Sequence, residues 1–379
     1  MLQQPVQDRA PSITIGRTPV AVALAAKPKA RPADDALQFG TVFTDHMFVM
    51  DYHADRGGWQ DARILPYQPF TLDPATAVLH YAQSVFDGLK AFHGTDGTIR
   101  LFRPRKHAER LRVSCERLCI PPLDTDFVLG SFHALVGVDH GWVPKKRGTS
   151  LYLRPTVIAT EPFLGVRPSK SYRYFLILSP VGTYYAEGIA PVKILATDKY
   201  VRAVEGGVGW AKTAGNYAAS IFAAEEAKKE GYTQVLWLDG VHRKFLDEVG
   251  TMNIMVKIGD EVITPPLSGT ILAGVTRDSI LALLRKWGVK ASERKISIDE
   301  VFAASKAGTL AEMWGTGTAA VVSPVGELGY KGERITINGG KTGPLTQKLF
   351  DAIVAIQYGD TNDEDGWTES VATGRLHAV

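Results

Sequence analysis

Cysteine is scarce in this chain: its 379 residues hold two, Cys115 and Cys119. Two thiols cannot build a disulfide framework, and a four-residue spacing places them on one face of a helix rather than in a zinc-binding pattern. They read as buried thiols of a reducing, cytoplasmic compartment, and no metal site is expected. Long apolar runs are missing too. The longest early one, residues 20–26, is about a third of a membrane-spanning helix. Arg9 and Arg17 precede it and Lys27, Pro28, Lys29, Arg31 and Pro32 follow, so residues 1–35 read as a flexible N-terminal extension, not an export signal or anchor. An excess of one charge is also absent. The 43 Lys and Arg face 40 Asp and Glu, a net +3 without a dense basic run, which argues against nucleic acid as a partner.

What is present is a globular composition, 45% hydrophobic, in a chain longer than one core usually organises, so two domains are expected. Residues 91–93 and 98–102 flank Gly94-Thr95-Asp96-Gly97 as a hairpin. A helix follows from Pro104, with His107, Leu111, Ser114, Cys115 and Leu118 at helical spacing, and Pro121 and Pro122 close it. Strands are expected at 151–160 and 172–179. The breaker-rich stretch Pro180-Val181-Gly182-Thr183 reads as the start of an interdomain connection. The second half reads strand 192–197, helix 216–230 capped by Gly231, strand 234–238 and helix 275–287. The fold class is therefore mixed α/β, with domains at 36–179 and 192–379 joined by a loop at 180–191.

Chemistry concentrates in a few segments. Gly209-Trp210-Ala211-Lys212-Thr213-Ala214-Gly215-Asn216-Tyr217 sets one lysine among small and apolar residues, where desolvation favours the neutral, nucleophilic amine. Alone, such a lysine among glycines and alanines is more often an ordinary surface residue. In Phe245-Leu246-Asp247-Glu248-Val249-Gly250-Thr251-Met252-Asn253, strand alternation puts Asp247 and Glu248 on opposite faces, so one should point inward and need a cationic partner. Gly269-Thr270-Ile271-Leu272-Ala273-Gly274-Val275-Thr276 leads into a helix whose first N–H groups suit an anion. Gly315-Thr316-Gly317-Thr318-Ala319-Ala320 offers a second loop of approachable amides. Arg110 lies on the apolar side of its helix and needs an anion, either a phosphate or a core-edge acid.

The run Lys212-x-x-Gly215-Asn216-Tyr217-Ala218-Ala219-Ser220 resembles the lysine segment of branched-chain aminotransferases, members of the fold-type IV pyridoxal-phosphate enzymes. The resemblance spans about residues 36 to 358. It implies a smaller N-terminal and a larger C-terminal domain with the cofactor between them. It implies that Lys212 holds the cofactor covalently and moves the proton at the substrate Cα, that Tyr217 bonds the cofactor's phenolic oxygen, and that Glu248 keeps its pyridine nitrogen protonated. Arg110, Val275, Thr276 and Thr318 are implied at the phosphate. Phe39, Tyr81, Phe86 and Tyr152 are implied as an aromatic box for branched side chains, with Arg154 for the glutamate γ-carboxylate and Thr251 and Ala319 toward the substrate. The implied reaction is amino transfer between L-leucine, L-isoleucine or L-valine and 2-oxoglutarate. A homodimer is implied, with Tyr81 and the loop at Val166 approaching the partner's pocket.

Two departures stand out. Ala320 and Ser323 occupy the places of a Cys-x-x-Cys pair found in animal members, so thiol switching there is not expected. Phe86-Asp87-Gly88 stands where the family often has Phe-Glu-Gly. D-amino-acid transaminases and aminodeoxychorismate lyases share the lysine and glutamate logic, and a non-catalytic cofactor-binding protein keeps the fold without turnover. A nicotinamide dehydrogenase is disfavoured because Gly206-Gly207-Val208-Gly209 lacks the Gly-x-Gly-x-x-Gly spacing.

Overall fold

The structure, a computed structural model, describes residues 12–182 and 189–373. They form two compact units, one of residues 12–182 with 369–373 and one of residues 189–368. The two are nearly equal in length rather than small and large, because the first gains both an N-terminal hairpin and the returning C-terminal strand.

In the first unit, one sheet runs Ser12–Ile15, Thr18–Val22, Gly58–Pro66, His46–His53, Ser171–Val181, Ser150–Ala159, Leu89–His93, Ile99–Phe102 and Thr368–Ser370, with Ser84–Phe86 also paired to Ser150–Ala159. Alternation explains its inner face: Tyr172, Tyr174, Leu176 and Leu178 are fully buried, and the Tyr174 hydroxyl is satisfied by Ser131 Oγ at 2.8 Å. Helices Pro104–Arg117 and Thr125–Val138 cover this core, the second capped by the Asp124 carboxylate accepting from the Phe127 N–H.

The flexible extension expected for residues 1–35 is corrected over residues 12–35. Ile13, Ile15, Val20 and Val22 bury one face of a hairpin that joins the sheet edge. The basic stretch behind it is tied down as well, since the Lys29 N–H donates to Asp45 Oδ1 at 2.7 Å and its ammonium to the Thr44 carbonyl at 2.8 Å. Residues 1–11 lie outside the described residues, as do residues 183–188 of the expected connecting loop; residues 180–181 instead finish the strand Ser171–Val181.

The second unit has a mixed sheet ordered Leu246–Val249, Gln234–Leu238, Val192–Thr197, Val321–Tyr330, Leu310–Gly317, Met252–Ile258, Glu261–Thr264 and Ala291–Glu293. A further pairing of Leu246–Val249 with Met252–Ile258 closes the path on itself, so the strand Leu246–Val249 is buried along its whole length. Both Asp247 (5% exposed) and Glu248 (4%) are therefore buried, which corrects the expectation that one of them faces water.

The single helix expected at 216–230 is two, Ala214–Ala218 and Ile221–Lys229. Asn216 turns its amide onto the carbonyls of Val208 (2.8 Å) and Ala211 (2.9 Å), and Ser220 Oγ donates to the Tyr217 carbonyl at 2.7 Å. Side chains that bond nearby backbone compete with a continuous helix. The thiol expectation holds for Cys115, which burial pushes up to about 12, but Cys119 is exposed just beyond the helix at φ 54°. Among the described residues no helix is long and apolar enough to cross a membrane.

Candidate active site

In the second unit, the turn before helix Ala214–Ala218 brings the Lys212 amine to 2.5 Å from the Tyr217 hydroxyl oxygen. The amine also lies 4.9 Å from that ring's centroid. The two Asn216 bonds described above brace this turn from behind, so the lysine sits on a fixed backbone.

Tyr217 and Glu248 line one cavity, together with Arg202, Asn216, Thr251 and Leu272. The Glu248 carboxylate is held at one oxygen by the Leu272 N–H at 2.8 Å and by Asn253 Nδ2 at 3.4 Å. Its other oxygen lies 3.5 Å from Arg202 Nε. Two donors and a guanidinium allow a buried carboxylate to remain anionic.

The helix Val275–Lys286 begins with no side-chain cap, so the N–H groups at Val275 and Thr276 lack the partner a cap supplies. Gly274 is required there: a Cβ would stand 1.9 Å from Asn253 Oδ1. Thr316 is buried with a hydroxyl that has no hydrogen-bond partner among the described residues, and Thr318 and Ala319 form the turn between Leu310–Gly317 and Val321–Tyr330. Helix N–H groups, an unsatisfied hydroxyl and a solvated turn fit a phosphate; a buried anionic carboxylate fits a protonated ring nitrogen; the lysine fits a covalent link to an aldehyde. The residues of this unit fit pyridoxal phosphate.

In the first unit Arg110 meets the acid partner that the sequence left open. Its Nε donates to Asp87 Oδ2 and its Nη2 to Asp87 Oδ1, each at 2.8 Å. His107 Nδ1 lies 2.8 Å from the same carboxylate. Asp87 is fully buried, and despite the desolvation that opposes its charge, Arg110 and His107 hold its carboxyl far below the usual range. The sequence named Asp87 only as a departure and missed this role.

The aromatic group in this unit is partly assembled. Phe39 stands edge-on to Tyr152, with centroids 5.0 Å apart. Arg154 donates to the Tyr152 hydroxyl at 3.0 Å and lies over the Phe86 ring at 4.7 Å. Arg154 Nε is buried and has no hydrogen-bond partner among the described residues. Gly88 makes room for Tyr152, since a Cβ there would fall 1.7 Å from the phenolic oxygen. Tyr81 is 40% exposed with His80 as ring neighbour, and Val166 is 89% exposed. Lys90, opposite Tyr152 across paired strands, adds a second cation that sequence reasoning did not single out; burial draws it down to about 8.

The family description Amino-transferase class IV matches residues 84–328. The chain is 56% identical over 353 residues to Branched-chain-amino-acid aminotransferase 2 of Bacillus subtilis (strain 168), covering 93% of this chain and 97% of the relative. It is 53% identical to Branched-chain-amino-acid transaminase 1 of the same organism, covering 90% and 96%. In fold it matches the solved branched-chain amino acid aminotransferase from Thermobaculum terrenum in its PLP-form, at a TM-score of 0.69 and 21% identity over 86% of this chain and 98% of that one.

Proposed function

Because the chain belongs to the class IV aminotransferases, and among them to the branched-chain-amino-acid aminotransferases, we propose that it moves the amino group between L-leucine, L-isoleucine or L-valine and 2-oxoglutarate. The products are the branched 2-oxo acids and L-glutamate, and pyridoxal phosphate is the cofactor. The observation that carries this reading is Lys212 held 2.5 Å from Tyr217, whose ring shares a cavity with the buried Glu248 carboxylate.

Pyridoxal phosphate, when bound, supplies an electron sink that no side chain offers. Lys212 takes the proton from the substrate Cα and later returns it, with Tyr217 holding the amine in place. Glu248 stays anionic and keeps a proton on the ring nitrogen. The N–H groups of Val275 and Thr276, the Thr318 hydroxyl and Arg110 hold the phosphate, and Asp87 fixes the plane of the Arg110 guanidinium. Thr251 and Ala319 orient the substrate.

Phe39, Tyr81, Phe86 and Tyr152 pack the branched side chain. One methylene is worth only ~1–3 kcal/mol in such a pocket, so leucine, isoleucine and valine are all substrates. Arg154, whose buried Nε has no hydrogen-bond partner among the described residues, receives the glutamate γ-carboxylate. A homodimer, in which the exposed Tyr81 and Val166 approach the partner's site, and a cytoplasmic location, consistent with two free thiols, complete the reading.

The test is glutamate formation from 2-oxoglutarate with each of L-leucine, L-isoleucine, L-valine and D-alanine as donor. Activity with the three branched L-amino acids and none with D-alanine supports the reading. Activity with D-alanine alone overturns it.

A further inference from the structure

Glu248, Asn253 and Thr316 stand in one row across three strands. Glu248 lies opposite Asn253 where Leu246–Val249 pairs with Met252–Ile258, and Asn253 lies opposite Thr316 where Met252–Ile258 pairs with Leu310–Gly317. Residues directly opposite in antiparallel strands project from the same face of the sheet, so the three side chains share a face. All three are buried. Glu248 is the acid assigned above to the ring nitrogen, and Thr316 leads into the turn of Thr318 and Ala319.

The middle residue of the row is also tied to the segment that enters the phosphate helix. Asn253 Nδ2 donates to the Leu272 carbonyl at 2.9 Å and, more weakly, to Glu248 Oε1 at 3.4 Å. The Leu272 N–H donates to that same Glu248 oxygen at 2.8 Å. Two residues on, Gly274 packs so close that a Cβ on it would stand 1.9 Å from Asn253 Oδ1. Asn253 therefore grips Leu272, whose N–H orients Glu248, and braces Gly274, the residue before the Val275 and Thr276 N–H groups.

We propose that Asn253 is a positioning residue that sets the spacing between the two ends of the cofactor site: through Leu272 it fixes Glu248 toward the ring nitrogen, and through Leu272 and Gly274 it fixes the start of the phosphate helix. This rests on the cofactor reading above. Pyridoxal phosphate carries its ring nitrogen and its phosphate on one small framework, so tight binding requires the protein groups for both to be held at a matching separation. A single buried amide that touches both groups' backbone supports meets that requirement.

The test measures affinity on the full-length chain by tryptophan fluorescence for three compounds: pyridoxal phosphate, its 1-deaza analogue with carbon in place of the ring nitrogen, and pyridoxal, which lacks the phosphate. Asn253→Ala leaves the Leu272 carbonyl without its donor, and displacement of each end weakens binding by about tenfold. The variant is therefore expected to bind pyridoxal phosphate about a hundredfold more weakly than the native chain does, and the deaza analogue and pyridoxal each only about tenfold more weakly, because each of those senses one end.

Equal losses with all three compounds, as a general loosening of the fold would give, overturn the proposal, and so does native-like binding. A loss that vanishes with the deaza analogue or with pyridoxal places Asn253 at one end alone and overturns it too. If Asn253→Ala fails to fold, Gly274→Ala decides. That change crowds the Asn253 amide from the phosphate side, and the proposal expects it to weaken pyridoxal, which has no phosphate to sense the helix; pyridoxal bound as tightly as by the native chain overturns it. Failure of the native chain to bind any of the three compounds sinks the cofactor reading itself, whereas native binding with an unaffected Asn253→Ala leaves that reading standing and removes only this inference.

Discussion

The amine of Lys212 and the phenolic oxygen of Tyr217, five positions apart in the chain, lie 2.5 Å from each other. That contact ties the nucleophile to a ring that also lines the Glu248 cavity. A hydrogen bond to a charged or reacting amine is worth about 1.5–3 kcal/mol. Tyr217→Phe is expected to lower kcat for leucine by about tenfold or more while the chain still folds, as read by steady-state kinetics beside circular dichroism. Unchanged kcat removes Tyr217 from this role.

Arg154 is the residue proposed to separate the two substrates. Its guanidinium bridges the Tyr152 hydroxyl and the Phe86 ring, so it belongs to an apolar wall and offers a carboxylate partner at once. Arg154→Ala is expected to reduce kcat/KM for glutamate by about a hundredfold, the worth of a charged hydrogen-bonded pair, and for leucine by tenfold less. Equal losses contradict the assignment.

Asp87 is a stability residue with a pH signature. Arg110 and His107 hold its carboxyl well below the ordinary range, so its contribution is fully present above the ordinary carboxylate pKa and is lost as pH falls through and below it. Removing one partner of a buried pair costs about 3–5 kcal/mol. Asp87→Ala should lower the unfolding free energy read from urea titration by that amount at neutral pH, and its deficit should shrink below about pH 4. A deficit that does not change with pH counts against this account.

Asp247 has the opposite sign. Its carboxyl is raised to about 6, so the folded state binds the proton more tightly than the unfolded chain; stability is greatest below the ordinary carboxylate value, falls as pH rises toward 6, and stays reduced above it. Asp247→Asn should therefore stabilise the cofactor-free chain at neutral pH by about 3 kcal/mol, the shift from 3.8 to about 6 converted at about 1.36 kcal/mol per unit. Denaturant titration at about pH 5 and about pH 8 checks this: the gain should be larger at the higher pH. A destabilised variant at neutral pH would contradict the sign.

Gly88 lies against Tyr152, where a Cβ would come within 1.7 Å of the phenolic oxygen. Gly88→Ala must push that ring aside, so kcat/KM for leucine should fall while the thermal midpoint moves by only a few degrees, the effect of about 1 kcal/mol. Full activity would mean that Tyr152 is not a wall of the substrate pocket.

What the sequence made legible was local. The hairpin of Leu89–His93 and Ile99–Phe102, the helix Pro104–Arg117 and the helix Val275–Lys286 follow from turn residues and periodicity within a few positions. Lys212 and Tyr217 were singled out through one segment and Glu248 through another, each by its resemblance, and the structure brings Lys212 to Tyr217 and Tyr217 to the Glu248 cavity. What escaped was non-local. The edge hairpin Ser12–Ile15 and Thr18–Val22 is fixed by pairing with Gly58–Pro66, far along the chain, while its own surroundings look like a basic tail. Asp87 has no signal of its own because His107 and Arg110 stand 20 and 23 positions away. The joint burial of Asp247 and Glu248 defeats strand alternation because the strand is covered on both faces, a consequence of sheet closure that no period-two pattern carries. Arg202 went unnoticed for the same reason: its meaning lies in Glu248, 46 positions away, which it meets at 3.5 Å.

The most direct test of the central claim is the visible absorbance of the purified full-length chain with pyridoxal phosphate, recorded before and after L-leucine and again after 2-oxoglutarate, beside Lys212→Ala. The account expects a cofactor band that leucine bleaches and 2-oxoglutarate restores, and that Lys212→Ala neither forms nor cycles. A native band indifferent to leucine, or a Lys212→Ala chain that cycles like the native one, would contradict it.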